Sequence, residues 1–138
     1  MKPKTNIEFI IKVFNRYRNP NNRAATPAGC QYLTNDGRKC AVGIAMRDGD
    51  WQEFGGSYTS ILNMYDKKQV LKEEYMEIDE ELFNELQRWH DAKTNFTSDS
   101  LSLKGMQKIK DLMWKYYTWD GISRRVKGRQ IRNINKIK

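Results

Sequence analysis

The chain has 138 residues, 38% of them apolar and 30% charged, with four Trp, seven Tyr and five Phe. That balance is enough for one folded domain with its own core and excludes a disordered chain. The formal net charge is +8, and no run approaches the roughly 18 apolar residues that span a bilayer, so a soluble, cytoplasmic protein is expected.

The charge is segregated along the chain. Residues 1–47 hold nine Lys and Arg against Glu8 and Asp36; residues 48–120 hold nine against fifteen acids; residues 121–138 hold seven and no acid. If the two basic segments meet in space, they steer an anionic partner to one surface; the alternative is that the tail lies on the acidic middle of its own chain. The expected organisation is a globular domain over residues 1–120 and a basic C-terminal tail over residues 121–138.

The N-terminus starts basic, but Glu8, Lys12 and Asn15 interrupt its apolar residues and no small-residue cleavage site follows, so no signal peptide is expected. Thr5-Asn6-Ile7-Glu8 reads as a capping box. Ile7, Ile10, Ile11, Phe14 and Tyr17 then recur at helical spacing, which predicts an amphipathic helix to about Arg18. Pro20 disfavours helix at Asn19 and ends it.

Cys30, Tyr32 and Leu33, the turn Asn35-Asp36-Gly37, and Cys40 to Val42 read as a short β-hairpin, since Asp-Gly supplies the positive φ angles of a primed turn. Ala41, Ile44, Ala45 and Met46 equally suit a helix starting directly after Lys39. Residues 47–56 read as loop. Ser57 is a candidate cap for a helix carrying Ile61, Leu62 and Tyr65, and residues 67–77 are ambiguous.

Asp79 starts a clear helix with Glu80 and Glu81 in its first turn and Leu82, Phe83, Leu86, Trp89 and His90 on one face. Ser100 or Ser102 caps the last helix, whose stripe runs through Leu103, Met106, Ile109, Leu112, Met113, Tyr116 and Tyr117 and stops near Gly121. The fold class that follows is mainly α (α+β), about four helices packed around one short hairpin.

The stretch from Gly29 to Met46, with "LQRWHDA" about fifty residues later, resembles small phage and prophage proteins. Their pattern of a Cys-x-Tyr arm, a Gly turn, a basic residue before Cys-Ala-Val-Gly, and a later His-Asp falls here on Cys30, Tyr32, Gly37, Lys39, Cys40, Ala41, Val42, Gly43, His90 and Asp91. The resemblance covers about the middle two thirds of the chain. It departs after Met46, where "IAMRDGDW" replaces an apolar Pro-Asp segment. It implies a phage setting, in which a small basic protein acts on host nucleic acid, signalling nucleotides or host defence proteins.

Three chemistries suit these residues. Cys40 as nucleophile, His90 as base and Asp91 as orienter would make a cysteine-dependent hydrolase, with the thiolate favoured by Lys39 and a helix start. Against it, neighbours on a helix diverge by about 100°, which separates His90 from Asp91. A metal site on Cys30, Cys40, His90 and Asp91 suffers from a nine-residue gap between the cysteines and a single His. The bland role is structural, with Cys30 and Cys40 facing each other as buried thiols and His90 packed and hydrogen-bonded. Without a secretory signal both cysteines are expected to be reduced. No metal and no cofactor is called for.

The cations offer a binding reading. Arg38 and Lys39 beside glycines suit an anion, with Tyr32 to stack on a base and Arg16, Arg18 and Arg23 to extend the patch. In the tail, Arg124, Arg125, Lys127, Arg129 and Arg132 suit phosphates; a protein-binding segment and a basic amphipathic helix are the alternatives. The reading leans to a non-enzymatic accessory protein that binds nucleic acid or a nucleotide and counteracts a host defence. An inhibitor docking on a host protein through acidic residues such as Glu80, Glu81 and Glu85 is a further alternative.

Overall fold

A computed structural model describes residues 3–23, 25–26, 29–30, 39–47 and 66–120. The described chain is mainly helical. Helix α1 spans Asn6–Tyr17, α2 Lys67–Val70, α3 Glu80–Asp91 and α4 Leu103–Asp120. No helix among the described residues is long and apolar enough to cross a membrane.

The capping box forms as its spacing demands. Thr5 Oγ1 accepts from the Glu8 N–H at 3.2 Å, and the Glu8 carboxylate accepts from the Thr5 N–H at 3.1 Å. After Tyr17 the chain leaves the helix at Arg18, and the Asn19 side chain accepts from the Asn21 N–H to open a 3₁₀ turn over Pro20–Asn22. Pro20 suits this first position, because the N–H it lacks would have no helical partner.

Helix α1 buries Ile7, Phe9, Ile10, Val13, Phe14 and Tyr17 and packs against α4 and α3. Those helices return Leu82, Phe83 and Leu86 from α3 and Met106, Ile109, Met113, Tyr116 and Tyr117 from α4. Phe9 meets both Tyr75 and Phe83 edge-on, with centroids 5.4 and 5.2 Å apart. Each large side chain so buried contributes roughly 1.5–3 kcal/mol of apolar transfer, and this shared core holds the three long helices together.

Asp79 precedes α3 as foreseen, yet its carboxylate does not cap the helix. It accepts from the Tyr116 hydroxyl at 2.9 Å, while its own N–H donates to Asn6 Oδ1 at 2.9 Å. The N-cap of α3 is thereby tied to α1 and α4. Of the two candidate caps of α4, Ser102 acts: its Oγ accepts from the Gly105 N–H at 3.0 Å and donates to the Thr94 carbonyl at 2.6 Å.

The expected hairpin is not what the chain builds around Cys40. Val42 has helical φ and ψ (−71° and −36°), and a 3₁₀ turn follows over Gly43–Ala45. The backbone N–H groups that a strand ladder would need have other partners: the Val42 N–H donates to Gln87 Oε1, the Gly43 N–H to Cys40 Sγ and the Ile44 N–H to the Cys40 carbonyl. The reading of a helical turn after Lys39 is the better one for this arm. Among the described residues the two-stranded ladder lies earlier, where Ala25–Thr26 pairs antiparallel with Gly29–Cys30, Cys30 opposite Ala25. The turn Asn35-Asp36-Gly37, the helix expected after Ser57 and the tail 121–138 lie outside the described residues.

Candidate functional site

The last turn of α3, the loop at Cys40 and the end of α1 meet in the interior. Tyr17, Cys40 and His90 are each fully buried. Tyr17 is on the apolar stripe of α1, and its hydroxyl donates to the Lys39 carbonyl. Its ring stands edge-on to the His90 imidazole, centroids 4.8 Å apart. Cys40 Sγ accepts from the Gly43 N–H at 3.2 Å, so the thiol closes the turn that it begins.

His90 and Asp91 come together despite being neighbours on one helix. His90 Nδ1 and Asp91 Oδ1 are 2.8 Å apart; Asp91 is the last residue of α3, and its side chain is 41% exposed at the rim. The same Oδ1 accepts from Gln87 Nε2 at 2.8 Å. Gln87 in turn accepts from the Val42 N–H through its Oε1. One amide therefore links the Cys40 loop to the carboxylate that holds the imidazole. Arg23 seals the outside, its Nε donating to the His90 carbonyl at 2.8 Å and its guanidinium lying 4.3 Å over the Phe96 ring.

Burial pushes the His90 pKa below its ordinary 6.5, and the positive charge of Arg23 adds to this, while the hydrogen bond and charge of Asp91 oppose it. The imidazole is neutral at pH 7. With Asp91 ionised, Nδ1 is the protonated nitrogen and Nε2 keeps a lone pair. Burial also drives the Tyr17 hydroxyl well above the ordinary phenol range, and charge on Cys40 would add to this. The Asp-His arrangement is that of a general base held in one tautomer. It is also how a protein satisfies a buried histidine.

The other predicted residues are placed apart or fall elsewhere. Lys39 is half-buried next to Cys40. Arg16 and Arg18 are exposed at the end of α1, whereas Arg23 packs as described. Tyr32, Arg38, Arg124, Arg125, Lys127, Arg129 and Arg132 lie outside the described residues. Among the described residues no three His, Cys, Asp or Glu side chains group as a metal site requires. Of the acids considered for docking, Glu81 pairs with Arg88 at 3.5 Å and Glu85 with Lys115 at 2.6 Å.

Gln87 and Tyr17 were not singled out as members of this cluster in the sequence. Gln87 had a signal, since it stands four residues before Asp91, the spacing at which a Gln and an Asp bond on a helix. Tyr17 carried none beyond its place in an apolar stripe. A separate groove of about 420 Å³ runs between α3 and α4, lined by Arg88, Lys108 and Lys115 with Glu85 and Asp111, over the buried Trp89 and Leu112. Comparison with protein-family models, with curated proteins and with solved structures finds no match to this chain.

Proposed function

We propose that the chain is a non-enzymatic accessory protein of phage type that binds nucleic acid through basic residues such as those of segment 121–138, and that it counteracts a host defence. The observation that carries the binding step is the segment 121–138, with seven cations and no acid. Such a segment neutralises several phosphates without reading sequence. The phage setting and the defence role rest on the resemblance of the Cys40 and His90 segments to phage proteins. Support also comes from the interior: Cys40 and His90 are fully buried and hydrogen-bonded within the fold, as packing groups are.

The test is purification without nuclease, followed by the 260/280 nm absorbance ratio and mass spectrometry of whatever denaturation releases. Retained nucleic acid with affinity that falls steeply with salt, and weakens in Arg124→Glu/Arg125→Glu, supports the reading. A clean protein spectrum and no salt-dependent binding to added oligonucleotides would overturn it. A released nucleotide would instead assign the site to a small signalling anion.

One observation favours a second reading as a cysteine-dependent hydrolase: a neutral imidazole held by a carboxylate lies in the same cluster as Cys40. That reading requires Cys40 to react with alkylating reagents much faster than Cys30. Equal, slow labelling ends it.

A further inference from the structure

A cleft of about 370 Å³ lies beside α1, lined by Lys4, Glu8, Ile11, Lys12 and Asn15 together with Tyr75 of the 3₁₀ turn Glu73–Tyr75. At about 100° per residue Glu8, Ile11, Lys12 and Asn15 all fall within about 100° of one another, so they share one face of the helix. The Lys4 N–H donates to the Glu74 carbonyl at 2.7 Å, and Phe9 stands edge-on to Tyr75. These contacts hold the turn against α1.

Tyr75 is 1% exposed, and its hydroxyl is buried with no hydrogen-bond partner among the described residues. Such a group is rare, because it has left water without gaining a bond inside the fold. The Lys12 ammonium lies 5.8 Å from the centroid of the Tyr75 ring. Lys12 and Asn15 are exposed and make no hydrogen bond or ion pair among the described residues. Glu8 is already engaged: its carboxylate accepts from the Thr5 N–H and lies 3.9 Å from Lys4 Nζ. The open groups are thus an ammonium, an amide and a phenol, each carrying N–H or O–H donors, beside the apolar Ile11 side chain.

We propose that this cleft binds a small phosphate monoester, its oxygens accepting from Lys12, Asn15 and Tyr75 while its carbon skeleton rests on Ile11. A phosphate monoester carries three acceptor oxygens and a charge of about −1.5 to −2 at pH 7. That suits several donors in a lining where Lys4 and Lys12 face the single acid Glu8. The Tyr75 hydroxyl is one bond beyond the ring that Lys12 overlies, which keeps it near the ammonium. Lys12 is a long exposed chain and can swing off the ring as the ligand enters. A neutral ligand would leave the ammonium without a counter-charge, and an apolar one would leave the hydroxyl without an acceptor. The site uses no residue of segment 121–138, so it stands or falls apart from the nucleic-acid reading.

The full chain is titrated with phenyl phosphate by calorimetry, with phenol as the neutral comparison, and the melting curve of each variant is recorded without ligand. Phenyl phosphate should bind and phenol should not. Tyr75→Phe removes one oxygen and keeps the ring against Phe9. It should weaken phenyl phosphate by about 10-fold or more, the share of a hydrogen bond to a charged group, without lowering the melting temperature. Lys12→Gln should weaken it by about 10-fold and reduce its salt dependence. Arg124→Glu/Arg125→Glu should leave it unchanged. The proposal is overturned if phenyl phosphate does not bind, if phenol binds as well, or if Tyr75→Phe and Lys12→Gln both bind as wild type does. Loss of binding in Arg124→Glu/Arg125→Glu alone would also overturn it and assign the anion to the basic segment. A ligand-free Tyr75→Phe that melts well below wild type would overturn the role of the hydroxyl, which would then serve the fold.

Discussion

Two regions of this molecule hold its chemically suggestive residues, and they differ in what surrounds them. Around His90, Nδ1, the backbone carbonyl and the ring each have a partner inside the protein, in Asp91, Arg23 and Tyr17. On α4, Lys104, Lys108 and Lys110 make no hydrogen bond or ion pair among the described residues, Lys115 pairs with Glu85, and Trp114 is half exposed. Nucleophile, base and carboxylate in the first region draw the eye as residue types, yet their partners make them part of the packing. The second region is unremarkable in residue type and is set apart by its exposure.

Gly105 underlies both regions, and changing it should have the largest effect. Its carbonyl accepts from Trp89 Nε1 at 3.0 Å, and its Cα is so close to the turn before α4 that an added Cβ would lie 2.1 Å from the Asn95 carbonyl oxygen. That oxygen is backbone, fixed in turn by the Ser102 N–H at 2.9 Å. Gly105→Ala is expected to destabilise the fold by about 3 kcal/mol or more, measured by urea denaturation. A loss below about 1 kcal/mol would mean that α4 can shift away from the turn, and the two regions would then be less rigidly coupled than drawn here.

The His90 cluster makes a sharper demand. Its folded pKa lies below the ordinary 6.5, so an unfolded chain takes up the proton first as the pH falls. Stability contributed by the neutral imidazole is thus complete above about pH 6.5 and is lost as the pH drops toward the folded value, at up to about 1.4 kcal/mol per pH unit. His90 is the one histidine of the chain, so His90→Phe should flatten this slope and cost about 1–2 kcal/mol at pH 8 through the lost hydrogen bond. A slope that survives the change would move the titration to other groups. On the alkaline side the sign reverses. Burial raises Tyr17 and Tyr116 and pushes Tyr117 up to about 12, so stability is complete below about pH 10 and falls as the pH rises beyond it.

Much of the helical frame was legible because its signals are local. The Thr5 capping box, Pro20 after α1, the acids in the first turn of α3 and the stripe of α4 each lie within a few residues of the boundary they set. The Cys40 segment was not, because its conformation depends on a distant partner: Gln87, forty-five residues away, takes the Val42 N–H that a strand would have offered to a neighbour. The Asp91 contact was hidden for a different reason. A 100° divergence separates the directions in which neighbouring side chains leave a helix, yet the two can still turn toward each other, as His90 and Asp91 do at 2.8 Å. Charge counted along the sequence also misled for α4, since the acids and lysines of residues 66–120 gather on different helices.

Cys40 offers a smaller effect that separates packing from reactivity. A fully buried thiol that accepts the Gly43 N–H should label only as fast as the fold opens, and Cys40→Ala should cost about 1 kcal/mol while leaving oligonucleotide affinity unchanged. Rapid labelling in the folded state would place the cluster among reactive sites and erase the contrast with α4.

The smallest effect comes from the pair that joins the two helices at the edge of the groove. Lys115 Nζ lies 2.6 Å from Glu85, in a pair whose lysine is half exposed, and the hydrogen bond to Glu85 raises the lysine pKa. Solvent screens such a pair, so Glu85→Gln should cost only about 0.2–1 kcal/mol. It also frees Lys115 beside Lys108, and one more available cation should steepen the salt dependence of oligonucleotide binding by about 0.7. Stability and binding then move in opposite directions in one variant, as expected where an acid on this surface restrains a lysine from a phosphate. If both fall together, Glu85 is positioning α4 rather than masking its charge, and Lys115 belongs with the packing groups of the first region.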